Sequence, residues 1–259
     1  MKTLLQTTLV LLLAVGLVGC VKIKQAWQIQ PDGSGKLTVS VAVSQQVLQM
    51  AGDDDPFADL TNPKDMISQA DNGWVAFTEP QVETRDGFKY ATFTGYFENI
   101  NDVVYRGDGG EGEMQASTYR FDPAGKFTVR DPMLAQVIDS VAGDPSLSDP
   151  QQKAMMAPMM KGLEISESYT LPGNIADAEG YQVDGRSATT SVDETVLLAE
   201  QAPSIPGLDD HQLVVTFEPA DWEQGQEDAW YQELEAAKVE WEAIKQRVAD
   251  EAETPAMAE

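Results

Sequence analysis

Val21-Lys22-Ile23-Lys24-Gln25-Ala26-Trp27-Gln28-Ile29, then Pro31-Asp32-Gly33-Ser34-Gly35, then Lys36-Leu37-Thr38-Val39-Ser40-Val41-Ala42-Val43: these three runs decide the fold. In the first, Val21, Ile23, Trp27 and Ile29 alternate with polar or small residues. In the third, Leu37, Val39, Val41 and Val43 do the same. A period of two places one set on one face of a pleated strand. The Asp-Gly-Ser-Gly centre supplies residues suited to a tight turn, so the stretch reads as an antiparallel hairpin.

Immediately upstream lies Leu9 to Val18, an apolar run of about ten residues, where a membrane-spanning helix needs about 20. After the positive start Met1-Lys2-Thr3 it has the length of a signal-peptide core. It ends in Leu17-Val18-Gly19-Cys20, which resembles a bacterial lipobox. That resemblance implies cleavage between Gly19 and Cys20, diacylation of Cys20 as the new N-terminus, with palmitate among the expected acyl groups, and stable membrane attachment through two or more acyl chains. A plain secretory signal with an incidental Cys20 is the alternative. Residue 21 is Val and not Asp, which by enterobacterial sorting favours the outer membrane in a source with two membranes. Since the first strand begins at Val21, almost no tether separates lipid from fold, and the domain is expected close to the bilayer.

Composition narrows the function. The 259 residues hold 17 Lys and Arg against 43 Asp and Glu, with one His and one Cys, for a formal charge of −26. Such a chain lacks the clustered bases that neutralise phosphate, so nucleic acid is not an expected partner. One Cys excludes an internal disulfide and a Cys-based zinc site. An ordinary Ser-His-Asp arrangement would have to run through His211. The acidity itself suits a salt-rich medium as well as any partner and is not read as a binding signal.

Further along, short helices are expected at 45–51 and from Asn62-Pro63 to about 70. Strands are expected near 74–77, 81–84, 88–98, 113–121, 126–130, 163–171, 187–192 and 212–217, and helices after Pro132, after Pro150 and at 193–200. On the long strand Phe88, Tyr90 and Tyr96 face one way and Ala91, Phe93 and Phe97 the other, so both sides of the sheet are covered or one lines a pocket. Residues 220–253 read as one long acidic helix, with Trp230, Leu234, Ala237, Trp241, Ile244 and Val248 as its apolar stripe. Strands interleaved with helices, without regular βαβ alternation, give an α+β fold with a mainly antiparallel sheet. The expected organisation is a signal peptide over 1–19, an α+β domain over 20–218, and the C-terminal helix with a frayed tail over 219–259.

With the lipobox followed at once by Asp32-Gly33-Ser34-Gly35, the chain resembles bacterial lipoproteins with an LppM-type domain. Gly87-Phe88-Lys89 to Phe97-Glu98-Asn99-Ile100 is similar to that family's long strand and short helix. Leu171-Pro172-Gly173-Asn174-Ile175, followed by Asp184-Gly185-Arg186, is similar to its late strand, Pro-Gly turn and second hairpin. The resemblance covers about residues 20–220. It implies an envelope-anchored α+β domain, a lipid-related binding role in some members, and no catalytic residue set. The acidic C-terminal helix departs from the simplest family pattern.

Candidate sites are few. Asp53-Asp54-Asp55 with Asp59, and Asp108 with Glu111 and Glu113, lack EF-hand spacing and read as solvated loops, so no metal or cofactor is expected. Gly107 to Gly112 has no P-loop pattern. Met155, Met156, Met159 and Met160 form an adaptable apolar cluster for a lipid or partner, or else a helix packed on the sheet. Trp230 and Trp241 are the corresponding candidates on the C-terminal helix, and Lys22 and Lys24 the candidates for headgroup contact. The leading expectation is a non-catalytic, membrane-anchored envelope lipoprotein that binds or scaffolds a lipid, another amphiphile or an envelope protein. An adaptor working through the C-terminal helix is the alternative. An envelope hydrolase ranks last, because no nucleophile–base pair is visible.

Overall fold

The computed structural model describes residues 21–51, 62–69, 72–106, 116–142, 160–199 and 211–253, with Gln151, Lys153, Ala154 and Ala157 between them. The fold is α+β, built on two stacked sheets. The expected hairpin is present as β1 (Val21–Ile29) and β2 (Gly35–Ser44), at the centre of the larger sheet. Gly35 opens β2 because a Cβ there would sit 2.1 Å from the Gln28 carbonyl oxygen and 2.7 Å from the Phe97 ring. β5 (Phe88–Phe97) pairs with β2, and β3 (Ala76–Phe77) and β4 (Gln81–Arg85) share its outer edge. On the other side β9 (Glu164–Thr170) runs parallel to β1, followed by β12 (Ser187–Asp193) and β11 (Gln182–Asp184).

The smaller sheet has the order β10-β13-β8-β7-β6, from β10 (Ile175–Ala178), β13 (Gln212–Phe217), β8 (Lys126–Arg130), β7 (Ala116–Asp122) and β6 (Val104–Arg106). Its pairs are all antiparallel, so it can bury one face and leave the other to solvent. Tyr119, Phe121, Phe127, Val129, Leu213 and Val215 point inward, opposite Ile23, Trp27, Leu37, Val39 and Phe97 of the larger sheet. Trp27 is the hub, its ring 4.5 Å from Tyr119 and 5.9 Å from Trp74. Leu134, Val137 and Ile138 of α3 (Met133–Ala142) join the same core, as does Val47 of α1 (Gln45–Ala51) and Met66 of α2 (Pro63–Gln69).

The C-terminal helix, α5 (Gln226–Glu253), starts six residues after the expected Ala220. Gly225 at φ +80°, and a turn in which the Glu223 N–H donates to the Gln226 side chain, set the later start. Trp230, Leu234, Ala237, Trp241 and Ile244 are buried, and Val248 partly so. The stripe packs within the molecule. The Trp241 ring lies 5.4 Å from Phe77 at the β3 edge, and the Trp230 ring 6.1 Å from Tyr96. Trp230 Nε1 donates to Ser34 Oγ at 2.8 Å, Ser34 Oγ donates to Asp32 Oδ1 at 2.6 Å, and the Tyr231 hydroxyl donates to Asp32 Oδ2 at 2.5 Å. The helix thus clasps the Asp-Gly-Ser-Gly turn.

This answers how β5 can be apolar on both faces. Its inner residues enter the two-sheet core, and Tyr96 on its outer face is covered by α5. Phe88 and Tyr90, at the other end of the same face, stay half-buried. Trp230 and Trp241 are core residues and offer no surface to a partner.

Candidate functional site

The outer face of the smaller sheet gathers positive charge on an acidic protein. Alternation on β7 and β8 turns Tyr119, Phe121, Phe127 and Val129 inward, so Thr118, Arg120 and Asp122 on one strand and Lys126, Thr128 and Arg130 on the other must face out. The antiparallel register sets Arg120 opposite Thr128, Thr118 opposite Arg130 and Asp122 opposite Lys126. With a rise of about 3.3 Å per residue, Lys126 and Arg130 stand about 13 Å apart, with Arg120 between them on the next strand. Asn101 and Gln212 extend the face at either end, and together these residues line a concavity of about 730 Å³. Arg120, Lys126 and Arg130 are exposed, and none forms an ion pair among the described residues.

That arrangement contrasts with several of the other bases. Lys22 and Lys24 both reach Glu164, at 3.3 and 3.2 Å, so the two share one carboxylate. Lys36 pairs with Glu233, Lys238 with Glu98 and Glu235, and Arg247 with Glu79. Three guanidinium or ammonium groups around Thr128, with hydroxyls and amides between them, can hold phosphate, sulfate or carboxylate oxygens spread over about 7–13 Å.

A second cluster is wholly interior. Period two on β9 sends Ile165, Glu167 and Tyr169 into the core, and Glu167 is 1% exposed. Its carboxylate accepts from the Tyr169 hydroxyl at 2.6 Å and the Tyr181 hydroxyl at 3.3 Å. Burial lifts the carboxyl to about 7, against the opposing pull of those two hydroxyls. Gln25, opposite Glu167 in the register, donates from Nε2 to Met133 Sδ at 3.0 Å and to the Tyr105 hydroxyl at 3.5 Å. Burial also raises Tyr105 to about 12, and Tyr119 and Tyr169 well above the usual phenol value. Among the described residues no base pairs with Glu167, so this is a costly core group and not an accessible acid.

His211 lies between two carboxylates. Nδ1 is 3.6 Å from Asp131 and Nε2 is 2.9 Å from Asp139. A Ser-His-Asp arrangement needs one imidazole nitrogen on the acid and the other on the nucleophile. Here both nitrogens meet acids, and the residue clips the start of β13 to the end of β8 and to α3. Among the described residues no three His, Cys, Asp or Glu side chains converge as a metal-ligand set.

Of the residues expected to matter, Gly19, Cys20, Met155, Met156 and Met159 lie outside the described residues, as do the acidic stretches at 53–59 and 108–113. Met160 is described, and it is buried in the core. No family model matches the sequence, and no curated protein matches it. Among solved structures the chain is similar to the folded domain of the Mycobacterium tuberculosis LppM protein, determined by NMR. The identity is 10%, the TM-score 0.38, and the match covers 78% of this chain and 91% of that one. A likeness that distant transfers neither a ligand nor an activity. Among the described residues no helix is long and apolar enough to cross a membrane.

Reading the sequence alone passes over the basic face, although a signal is there. Thr118 to Arg130 holds three bases and one acid, a local excess of bases, in a chain where acids outnumber bases by 43 to 17.

Proposed function

We propose that this protein is a non-catalytic lipoprotein of the cell envelope, anchored through acylated Cys20, whose α+β domain binds an anionic envelope ligand on the outer face of the smaller sheet. The observation that carries this reading is the trio Arg120, Lys126 and Arg130, exposed and without ion partners among the described residues, around a concavity of about 730 Å³. A lipid or other amphiphile is then held by its charged headgroup. Support for the non-catalytic part comes from His211, whose Nε2 is held by Asp139 at 2.9 Å while Nδ1 faces Asp131 at 3.6 Å, so no nucleophile stands at either nitrogen among the described residues. An adaptor working through α5 would have to use the acidic outer side of that helix, since its apolar stripe is spent on the core.

The test is a titration of the mature chain, made soluble by Cys20→Ser, with a sulfated oligosaccharide and separately with phosphatidylglycerol vesicles. Saturable binding is expected for one of these probes, weakening with salt. The double variant Arg120→Glu/Arg130→Glu should bind about tenfold or more weakly, equivalent to about 1.4 kcal/mol or more. Equal affinity of the variant and the parent for both probes would remove the site.

A further inference from the structure

The anchor end of the larger sheet carries a second surface with a different occupant. We infer that the β4–β5 hairpin, with Phe88 and Tyr90 on the part of the outer face that no other described element covers, seats in the headgroup zone of the bilayer that holds the acylated Cys20. The inference rests on the lipoprotein reading and is independent of the basic face.

Register fixes the depth. Val21 pairs with Val43, and Val43 pairs with Lys89. Phe88 therefore lies one residue beyond the first residue of β1, at the level where the chain leaves Cys20. The Asp86-Gly87 turn projects further still. Strands two places apart in a sheet are separated by about 10 Å, so Phe88 is a near lateral neighbour of Val21, the residue bonded to the anchor. With Cys20 joined directly to Val21, there is no linker by which the hairpin could stand off.

The chemistry of this end suits an interface. The Phe88 and Tyr90 rings lie 6.3 Å apart and are half-buried. Each is flanked by a cation: Lys22 Nζ is 5.3 Å from the Phe88 ring, and the Arg85 guanidinium is 4.4 Å from the Tyr90 ring. Val82, on the opposite side of the hairpin, is 49% exposed. Aromatic rings beside long cationic side chains concentrate where hydrocarbon meets headgroups. Of the nearby acids, Glu83 pairs with Arg85, Glu164 with Lys22 and Lys24, and Asp193 accepts from the backbone of α4 (Glu194–Leu197), while Asp86 at the hairpin tip is exposed at headgroup level and Glu194 is half-buried. The other end of this face has no such opening, because α5 covers Tyr96.

The experiment uses the full acylated chain in nanodiscs. Cys20 is the only cysteine, so once it is acylated an introduced cysteine is the only free thiol. An environment-sensitive fluorophore is placed in turn at Val82→Cys, at Phe88→Cys and, as control, at Val239→Cys on the exposed side of α5. Intact mass verifies acylation. Brominated lipid should quench the labels at 82 and 88 several-fold more than the label at 239, and aqueous iodide should do the reverse. An unacylated mass would overturn the anchoring and with it this inference. An acylated mass with all three labels equally open to iodide would overturn the seating alone. Retained far-UV dichroism of each variant shows that the label reports on the folded domain.

Discussion

Trp241→Ala should lower the unfolding free energy by about 3–5 kcal/mol, the usual loss for a large aromatic removed from a core. Trp241 is 1% exposed and packs against Phe77, whose ring meets Trp74 and through it the hub at Trp27. The cavity therefore opens where α5 joins the β3 edge. Small domains hold about 5–15 kcal/mol in all, so the variant should be close to unfolding at 37 °C. Val239→Ala on the same helix is the control, because Val239 is 72% exposed and should shift stability by about 0.5 kcal/mol at most. Urea unfolding of both variants checks this. A loss below about 1 kcal/mol at Trp241 would mean that the helix is an appendage and not a wall of the core.

The second large effect concerns pH. Glu167 has a folded-state value of about 7 against an ordinary 4.5. Between those values the folded chain retains a proton that the unfolded chain has released. The unfolding free energy therefore falls as pH rises from about 4.5 to about 7, by about 3 kcal/mol at most from this group. The stabilising contribution of neutral Glu167 is fully present below the unfolded value and is lost as pH passes the folded one. In Glu167→Gln the side chain cannot ionise but can still accept from Tyr169. That variant should therefore be more stable relative to the parent at pH 8 than at pH 5, by up to about 3 kcal/mol. Taking the difference between the two proteins cancels the pH dependence of the many other carboxylates. Urea unfolding at the two pH values decides it; an unchanged difference would show that the Glu167 carboxyl is solvated.

Local patterning carries much of the fold. The alternation of Val21 to Ile29 and of Leu37 to Val43 around Asp32-Gly33-Ser34-Gly35 is sufficient for the central hairpin, and the strand expected at 212–217 has those bounds as β13. The Trp230-to-Val248 stripe identifies the buried face of α5, but nothing within the helix says what lies opposite. That partner, Phe77, sits on a two-residue strand far earlier in the chain. The parallel pairing of β1 with β9 is similarly non-local, since Lys22 and Glu164 are separated by 142 residues. No hairpin or turn signal encodes such a neighbour.

The sites divide the same way. Glu167 is legible in principle, because alternation through Ile165 and Tyr169 puts it on the apolar face; what raises its carboxyl is the sheet stacked above it. The basic face needs the β7–β8 register. Only the pairing of Arg120 with Thr128 sets Arg120 beside Lys126 and Arg130 and makes one surface of three cations. Trp230 and Trp241 draw attention as large aromatics on an acidic helix, and their burial shows why residue type alone misleads: the apolar face of an amphipathic helix is the face most readily spent on the protein's own core.

The most direct test of the account is amide chemical-shift mapping of the mature Cys20→Ser chain during titration with the anionic probe that binds. The account predicts shifts concentrated at 118–130 and 212–216, with the interior amides of Gln25, Glu167 and Tyr169 unmoved. Shifts centred on those interior residues would contradict it, because they would mean that the two sheets part to admit the ligand and that the outer basic face is incidental.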